Sequence, residues 1–183
     1  MRNLKGDGAA PDTHDFLSRA DVLAASGMTV LVSDFFEFYR LAGYLRGLTT
    51  KPLGIGMGAI TIPELFDPSY YANLDGGLLE SVGRLFRGDM TLFVYPYCDR
   101  TTGELKTVES LELPPEAKPL YEYVVRAGKI IPLENHDPAC LPIDSRDVLR
   151  KIACGDVAWE LVVPPAIVEL IKERGMFGYK KKH

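Results

Sequence analysis

The pattern with the clearest chemical potential is the segment Asp144–Arg150, which reads DSRDVLR. Asp144 or Ser145 can cap the start of a helix. Arg146 and Arg150 are four residues apart, so a helix places both guanidinium groups on one side. A helix N-terminus supplies N–H donors and partial positive charge, and arginine supplies bidentate hydrogen bonds. The pattern predicts a polyphosphate site at Ser145, Arg146 and Arg150, and a capped surface helix with Arg–Asp pairs explains it equally well.

A second candidate is the glycine run Gly54, Gly56 and Gly58, at the end of an apolar segment of strand length. Glycines let backbone N–H groups approach a phosphate, so the run is consistent with a nucleotide-binding loop. Its G-x-G-x-G spacing differs from the G-x-G-x-x-G of dinucleotide-binding proteins. Close backbone packing, where a strand end meets a helix, is the alternative explanation.

The third candidate is Asp34, which directly follows the apolar run 28–33, interpreted as the first strand. Ligands of open α/β sheets bind beyond the carboxyl ends of the strands. We therefore expect Asp34 to lie near a nucleotide base or ribose, together with the glycine run. The alternative is that Asp34 caps the following helix, because Asp34-x-x-Glu37 resembles a capping box.

The sequence predicts neither a metal site nor a catalytic triad. His136, Cys140 and Asp144 lie within nine residues, but their spacing matches no recognised ligand pattern, and nothing else in the chain completes a four-ligand set. There is no G-x-S-x-G motif. The three cysteines include Cys98 and Cys154 and form no C-x-x-C pair, which is typical of reduced thiols.

These candidates depend on an alternation of strands and helices. Apolar runs of strand length alternate with amphipathic segments of about 10–15 residues, the pattern of parallel β-α-β units. We predict an α/β domain with a three- to four-stranded, mostly parallel sheet, flanking helices and a C-terminal helical pair. The predicted strands cover residues 28–33, 51–58, 90–97 and 130–133. Residues 1–12 are predicted to be a flexible lead-in, and residues 13–183 a single domain that is helical from about residue 145.

The composition limits the classes of partner. Hydrophobic residues make up 46% and charged residues 25%, as in ordinary globular domains, so a core of this size needs no disulfide or metal. The net charge of −4 opposes a nucleic-acid surface. No window reaches the roughly 18 uninterrupted apolar residues of a membrane span, and the first residues contain no apolar signal core. We therefore expect a cytoplasmic protein that binds neither nucleic acid nor membranes.

Residues 145–177 resemble the closing signature of the nicotinate-nucleotide adenylyltransferases. The shared features are Ser145, Arg150, Gly155, the segment Leu161-Val-Val-Pro164 and a final short helix. In that family the helix start and its arginine hold the ATP phosphates. The resemblance implies a Rossmann-like, nucleotidyltransferase-like fold that binds ATP and Mg²⁺. It also implies adenylyl transfer to a nicotinate mononucleotide-like acceptor, in NAD biosynthesis. The family's second serine and threonine are replaced by an arginine and an aspartate.

The front of that family's sequence pattern is missing here. Its members begin with G-G-x-F-D-P-x-H-x-G-H, whose histidines stabilise the transferring phosphate. The chain has three histidines and none is in that setting: His14, His136 and His183. The catalytic residues are therefore unassigned. The alternative function is a non-catalytic structural or interaction domain, in which the aromatics of residues 68–74 and 177–179 dock against an upstream domain or a second subunit of a homo-oligomer.

A second resemblance spans nearly the whole chain from about residue 12. Three segments, TVLVSDFFEFYRLAGYL, GLLESVGRLFRGDMTLFVYP and SRDVLRKIACGDVAWELVVPPAIVELIKERGMFGY, are similar to the C-terminal part of a family of long bacterial proteins. These proteins carry the labels nicotinate-nucleotide adenylyltransferase and TonB-dependent receptor. The sequence lacks the many alternating strands of about ten residues that such a receptor needs, so we reject that label. The resemblance implies a fragment of a longer protein or a free-standing terminal domain.

Overall fold

The computed structural model describes residues 12–99 and 102–180, so all but Asp12 of the predicted lead-in lies outside the described residues. The helices are α1 (Thr13–Ala25), α2 (Phe38–Leu48), α3 (Ile62–Leu65), α4 (Gly77–Leu85), α5 (Lys118–Arg126), α6 (Ser145–Cys154) and α7 (Pro165–Arg174). The strands are β1 (Leu53–Gly58), β2 (Met90–Tyr95), β3 (Tyr97–Cys98), β4 (Leu105–Lys106) and β5 (Ile130–Pro132).

Three of the strands form a parallel sheet in the order β1-β2-β5. β1 pairs with β2 along its whole length, from Leu53 opposite Met90 to Gly58 opposite Tyr95. Helices α3 and α4 connect β1 to β2, and α5 lies between β2 and β5, so the sheet is built from β-α-β units. The predicted α/β class and parallel sheet are confirmed. β3 and β4 form a separate antiparallel pair.

The prediction of a first strand at residues 28–33 is wrong. These residues have no regular secondary structure, and the side chains of Leu31 and Val32 are 54% and 62% exposed. A strand needs a neighbouring strand and a buried face, and an apolar sequence supplies neither by itself. The capping box is also wrong: α2 begins at Phe38 after Glu37, whose side chain makes no capping hydrogen bond. Asp34 is too far from this helix start to cap it.

Contacts between residues divide the chain into two compact units. Unit 1 joins the residues up to Asp34 to those from Ile143 onward, and unit 2 is Phe35–Pro142. The prediction of one domain over residues 13–183 stays a prediction, since two compact units can belong to one domain. The predicted helical character from residue 145 is confirmed by α6 and α7.

Unit 2 has its core on one face of the parallel sheet. The inward side chains of the strands are almost completely buried: Met57, Met90, Leu92, Val94 and Ile130. They belong to one cluster with buried residues of α2, α3, α4 and α5. Phe66, which follows α3, is fully buried and contacts the edge of Tyr121 with 5.2 Å between ring centroids.

Unit 1 has a separate core around Trp159, which lies in a short 3₁₀ helix between α6 and α7. Trp159 is 1% exposed and clusters with buried side chains of α6, α7 and the residues that follow: Ile152, Ile167, Val168, Ile171 and Met176. α6 ends at Cys154 and is capped by Gly155, whose φ of 78° is a conformation that favours glycine. Arg174 of α7 pairs with Asp21 of α1 at 2.7 Å and links the two ends of the unit.

Candidate functional site

The predicted phosphate site lies at the start of α6. Asp144 is the capping residue, because its side chain accepts a hydrogen bond from the backbone N–H of Arg146 at 2.8 Å. Ser145 is the first helical residue and is exposed, as are Arg146 and Arg150. The structure therefore brings these three residues together in unit 1, and it assigns the cap to Asp144 rather than to Ser145.

The Arg150 guanidinium is already paired. It donates a hydrogen bond to Asp147, and the Lys151 ammonium lies 3.0 Å from the other oxygen of the same carboxylate. The Arg150 side chain is 76% exposed, so the pair lies at the surface, where such pairs contribute little to stability. The hydrogen bonds from Arg150 and then from Lys151 lower the pKa of Asp147 to about 2. As it stands, the geometry is that of a capped surface helix with an Arg–Asp–Lys cluster.

We expect the NMR signal of the Asp147 side-chain carboxyl carbon to change with pH with a midpoint near pH 2, the pKa of this group. Since its folded pKa lies below the ordinary value of 3.8, the unfolded chain binds more protons between about pH 2 and 4. The stabilisation from the pair is therefore complete above about pH 4 and is lost as the pH falls to about 2. Arg150→Gln should raise the midpoint, and Arg174→Gln, which removes a different surface pair, should not. A wild-type midpoint near 3.8 in an NMR titration would contradict this assignment.

These residues fit ATP and Mg²⁺ only if the pair opens. A triphosphate needs the Arg150 guanidinium, which Asp147 holds, and it meets two carboxylates, Asp144 and Asp147, in the same turn. Both carboxylates repel phosphate at neutral pH. Arg146 makes no ion pair with any described residue, so it is the one predicted phosphate ligand whose charge is uncompensated by a salt bridge.

The glycine run is part of strand β1 rather than a loop after it. Gly54, Gly56 and Gly58 alternate along the strand, so they share the sheet face opposite the core. Phe93 and Tyr95 of the neighbouring strand lie over this face. A Cβ atom built on Gly54 would be 2.7 Å from the ring of Phe93, and one on Gly58 would be 3.2 Å from the ring of Tyr95. The glycines therefore make room for two aromatic rings.

This second face of the sheet is uncovered in unit 2, and we call it the open face. Tyr95 is 49% exposed and Ile131 is 39% exposed. Neither residue, nor Phe93, belongs to the core cluster of unit 2 or packs against it. Parallel sheets are normally covered on both faces, so an open face with aromatic side chains is unusual. The open face consists of seven residues, of which Gly58 is buried and Thr91 and Phe93 are half-buried: Gly54, Gly56, Gly58, Thr91, Phe93, Tyr95 and Ile131.

The placement of the rings predicts opposite effects for two neighbouring glycines. Gly54→Ala should destabilise unit 2 by about 1 kcal/mol, because the new Cβ must displace the Phe93 ring. Gly56→Ala should be neutral or stabilising by about 0.5 kcal/mol, since a Cβ there meets nothing within 4 Å and glycine is unfavourable inside a strand. Urea unfolding followed by circular dichroism measures both, and equal effects would contradict the ring positions.

The sheet order bears on the nucleotide hypothesis. In doubly wound α/β folds a nucleotide binds where the order of the strands reverses. The order β1-β2-β5 proceeds in one direction through the described residues, so unit 2 has no such crevice. Asp34 is exposed, follows no strand, and is assigned to unit 1, whereas the glycine run is assigned to unit 2. The premise that placed Asp34 at a strand end is therefore wrong.

Two clefts lie elsewhere. One in unit 1 has a volume of about 410 Å³ and is lined by Trp159, Tyr179 and the ion pair of Lys172 with Glu160 at 2.6 Å. One in unit 2 has a volume of about 270 Å³ and lies beside α5. Neither contains a predicted site residue. The described residues hold no group of three or more His, Cys, Asp or Glu side chains placed to bind a metal ion.

The open face is the feature that the sequence reasoning missed. β2 reads as apolar at every position except Thr91, so its two faces look alike in the sequence. The one available signal was that the glycines of β1 recur at every second position, which leaves one face of that strand without side chains.

Comparisons with protein-family models, with curated proteins and with solved structures found no match to this chain. The resemblance to the adenylyltransferases therefore stays a hypothesis. No helix in the described part of the chain combines the length and the apolar composition needed to cross a membrane.

Proposed function

We propose that this chain is an interaction domain that binds a protein partner through its open face. The observation that carries the proposal is the exposure of Tyr95 and Ile131 on one face of a parallel sheet whose other face is buried. Parallel sheets are stable when both faces are covered, so the uncovered face favours a partner that completes the layer.

The chemistry of the open face supports a protein partner. Tyrosine and phenylalanine are enriched at the centres of protein interfaces, where charged residues are depleted. The seven residues of the open face include two aromatics and no charge. Tyr95 has an apolar ring and a polar hydroxyl, so it can be buried against a partner while its hydroxyl keeps a hydrogen bond.

Site-specific photo-cross-linking tests this proposal. Tyr95→p-benzoylphenylalanine places the reactive group on the open face, and the same change at Tyr123, which is 64% exposed on α5, is the matched control. We expect illumination in the source organism to give one discrete adduct from position 95 and none from position 123. No adduct from position 95, or the same adducts from both positions, would overturn the proposal.

A second candidate function is nucleotide binding at α6, in a Rossmann-like, nucleotidyltransferase-like domain. The observation that favours it is the exposure of Ser145, Arg146 and Arg150 within one turn and a half at a helix start. Phosphate would replace Asp147 as the partner of Arg150, with Mg²⁺ offsetting the displaced carboxylate. Adenylyl transfer would also need the histidines that the sequence does not supply in the family's motif.

Calorimetric titration with ATP–Mg²⁺, nicotinate mononucleotide and NAD tests the second candidate. Removing a charged phosphate hydrogen bond in Arg150→Ala should weaken binding by about ten- to a hundred-fold. Arg174→Ala is the matched control, because Arg174 is also an exposed arginine in a surface ion pair. The absence of heat for every ligand at about millimolar concentration, where even weak sites fill, would reject nucleotide binding.

A further inference from the structure

We infer that the occupant of the open face is a second copy of this chain, packed face to face about a two-fold axis. The inference rests on the docking role proposed above and names the partner. Two properties of the open face lead to it, its lack of charge and its relief, and its size sets the expected strength of association.

The charge of the open face is compatible with self-association. In a two-fold interface each residue meets the same patch of the other copy, so any charge on the patch lies near its own duplicate and is repelled. The chain has 46 charged residues among 183, counting 21 Lys and Arg with 25 Asp and Glu, yet none of the seven open-face residues is charged. A foreign partner selected by charge would need charged groups on this surface.

The relief of the open face is self-complementary. The rings of Phe93 and Tyr95 cover Gly54 and Gly58, where an added Cβ would be within 3.2 Å of a ring atom. Between them Gly56 is uncovered, since a Cβ there meets nothing within 4 Å. The surface therefore has two raised rings on either side of a hollow. When two copies meet in opposite orientations, a ring of one copy fits the hollow of the other.

The size of the open face predicts a weak dimer. Two strands about 20 Å long and one about 10 Å long, spaced about 4.8 Å apart, present roughly 240 Å² per copy. Both copies together bury roughly 500 Å², which is below the 1,000 Å² or more of a stable interface. We therefore expect association that depends on protein concentration in the range from about 10 μM to 1 mM, rather than a permanent dimer.

Sedimentation velocity over that concentration range tests the inference. The wild-type chain should shift from monomer to dimer as its concentration rises. Tyr95→Lys should remain monomeric, because each copy would bring a lysine ammonium into the uncharged patch of the other and close to its duplicate, and Tyr123→Lys should behave as wild type. Thr91→Lys is a second variant on the open face, and it replaces Tyr95→Lys if circular dichroism shows that the latter is unfolded. Mixing Tyr95→Lys with Tyr95→Glu should restore the dimer at low salt.

A wild-type chain that stays monomeric at about 1 mM, or a dimer that both open-face lysines leave intact, would overturn the inference. The mass of the cross-linking adduct from position 95 shows whether only the second copy is wrong as the partner, or whether the open face binds no partner at all. An adduct of twice the chain mass supports the second copy. A monomeric chain that gives a discrete adduct of another mass overturns the second copy and leaves the docking role standing. A monomeric chain with no adduct overturns both.

Discussion

Phe66→Ala is expected to lower the free energy of unfolding of unit 2 by about 3–5 kcal/mol. Phe66 is fully buried and contacts Tyr121 edge to face at 5.2 Å. Truncation removes the whole ring from a core shared by α3, α5 and the sheet, and leaves a cavity that the surrounding strands and helices can fill only in part. The loss of the aromatic pair with Tyr121 accounts for about 0.5–1.5 kcal/mol of this total.

Hydrogen exchange with mass spectrometry locates this effect. Peptides that cover β2 should exchange roughly a hundred- to several thousand-fold faster in Phe66→Ala, because each 1.4 kcal/mol corresponds to about a factor of ten. Tyr123→Ala is the matched control, since Tyr123 is 64% exposed and the loss of its ring should change the exchange of β2 little. Equal effects of the two substitutions would contradict the assignment of Phe66 to the core.

Trp159→Ala is expected to have a comparable effect on unit 1, again about 3–5 kcal/mol. Trp159 is 1% exposed at the centre of a small cluster, and Tyr179 contacts its ring at a centroid distance of 6.3 Å. A small core has few other contacts to compensate, so this substitution should leave unit 1 largely unfolded near room temperature.

Leu161→Ala provides the control within the same short helix. Leu161 is 88% exposed, so removing its side chain should change stability by less than about 0.5 kcal/mol. Circular dichroism is the suitable probe, because the substitution at position 159 removes the tryptophan itself. If Leu161→Ala destabilised unit 1 as much as Trp159→Ala, the core described around Trp159 would be wrong.

The strands of the sheet could be predicted because their signals are local. The run from Met90 combines aromatic and β-branched residues and stops before Pro96, which cannot donate a ladder hydrogen bond. The run 28–33 is also apolar and β-branched, although it lacks aromatic residues, and it forms no strand, because pairing depends on residues distant in sequence. An apolar pattern indicates which side chains a segment can bury. Whether a second strand lies beside that segment depends on the tertiary structure.

The candidate site likewise has one part that local spacing predicts and one part that depends on the tertiary structure. The i, i+4 spacing of Arg146 and Arg150 predicts that both lie on one side of a helix, and both are exposed residues of α6. Whether Arg150 was available to a ligand depended on a side-chain rotamer, and in the structure it points to Asp147. The open face had one signal in the sequence, the alternating glycines of β1, because β2 is apolar on both sides and the packing of helices determined which side became the core.

The division into units has a consequence for synthesis on the ribosome. Unit 2 is continuous in sequence, whereas α1 packs against α7 and the residues that follow, which are made after the whole of unit 2. At roughly 5–20 residues per second, α1 waits about 7–30 s for its partners. Throughout that interval the apolar side chain of Val22 has no core to join, and the nascent chain presents it to chaperones.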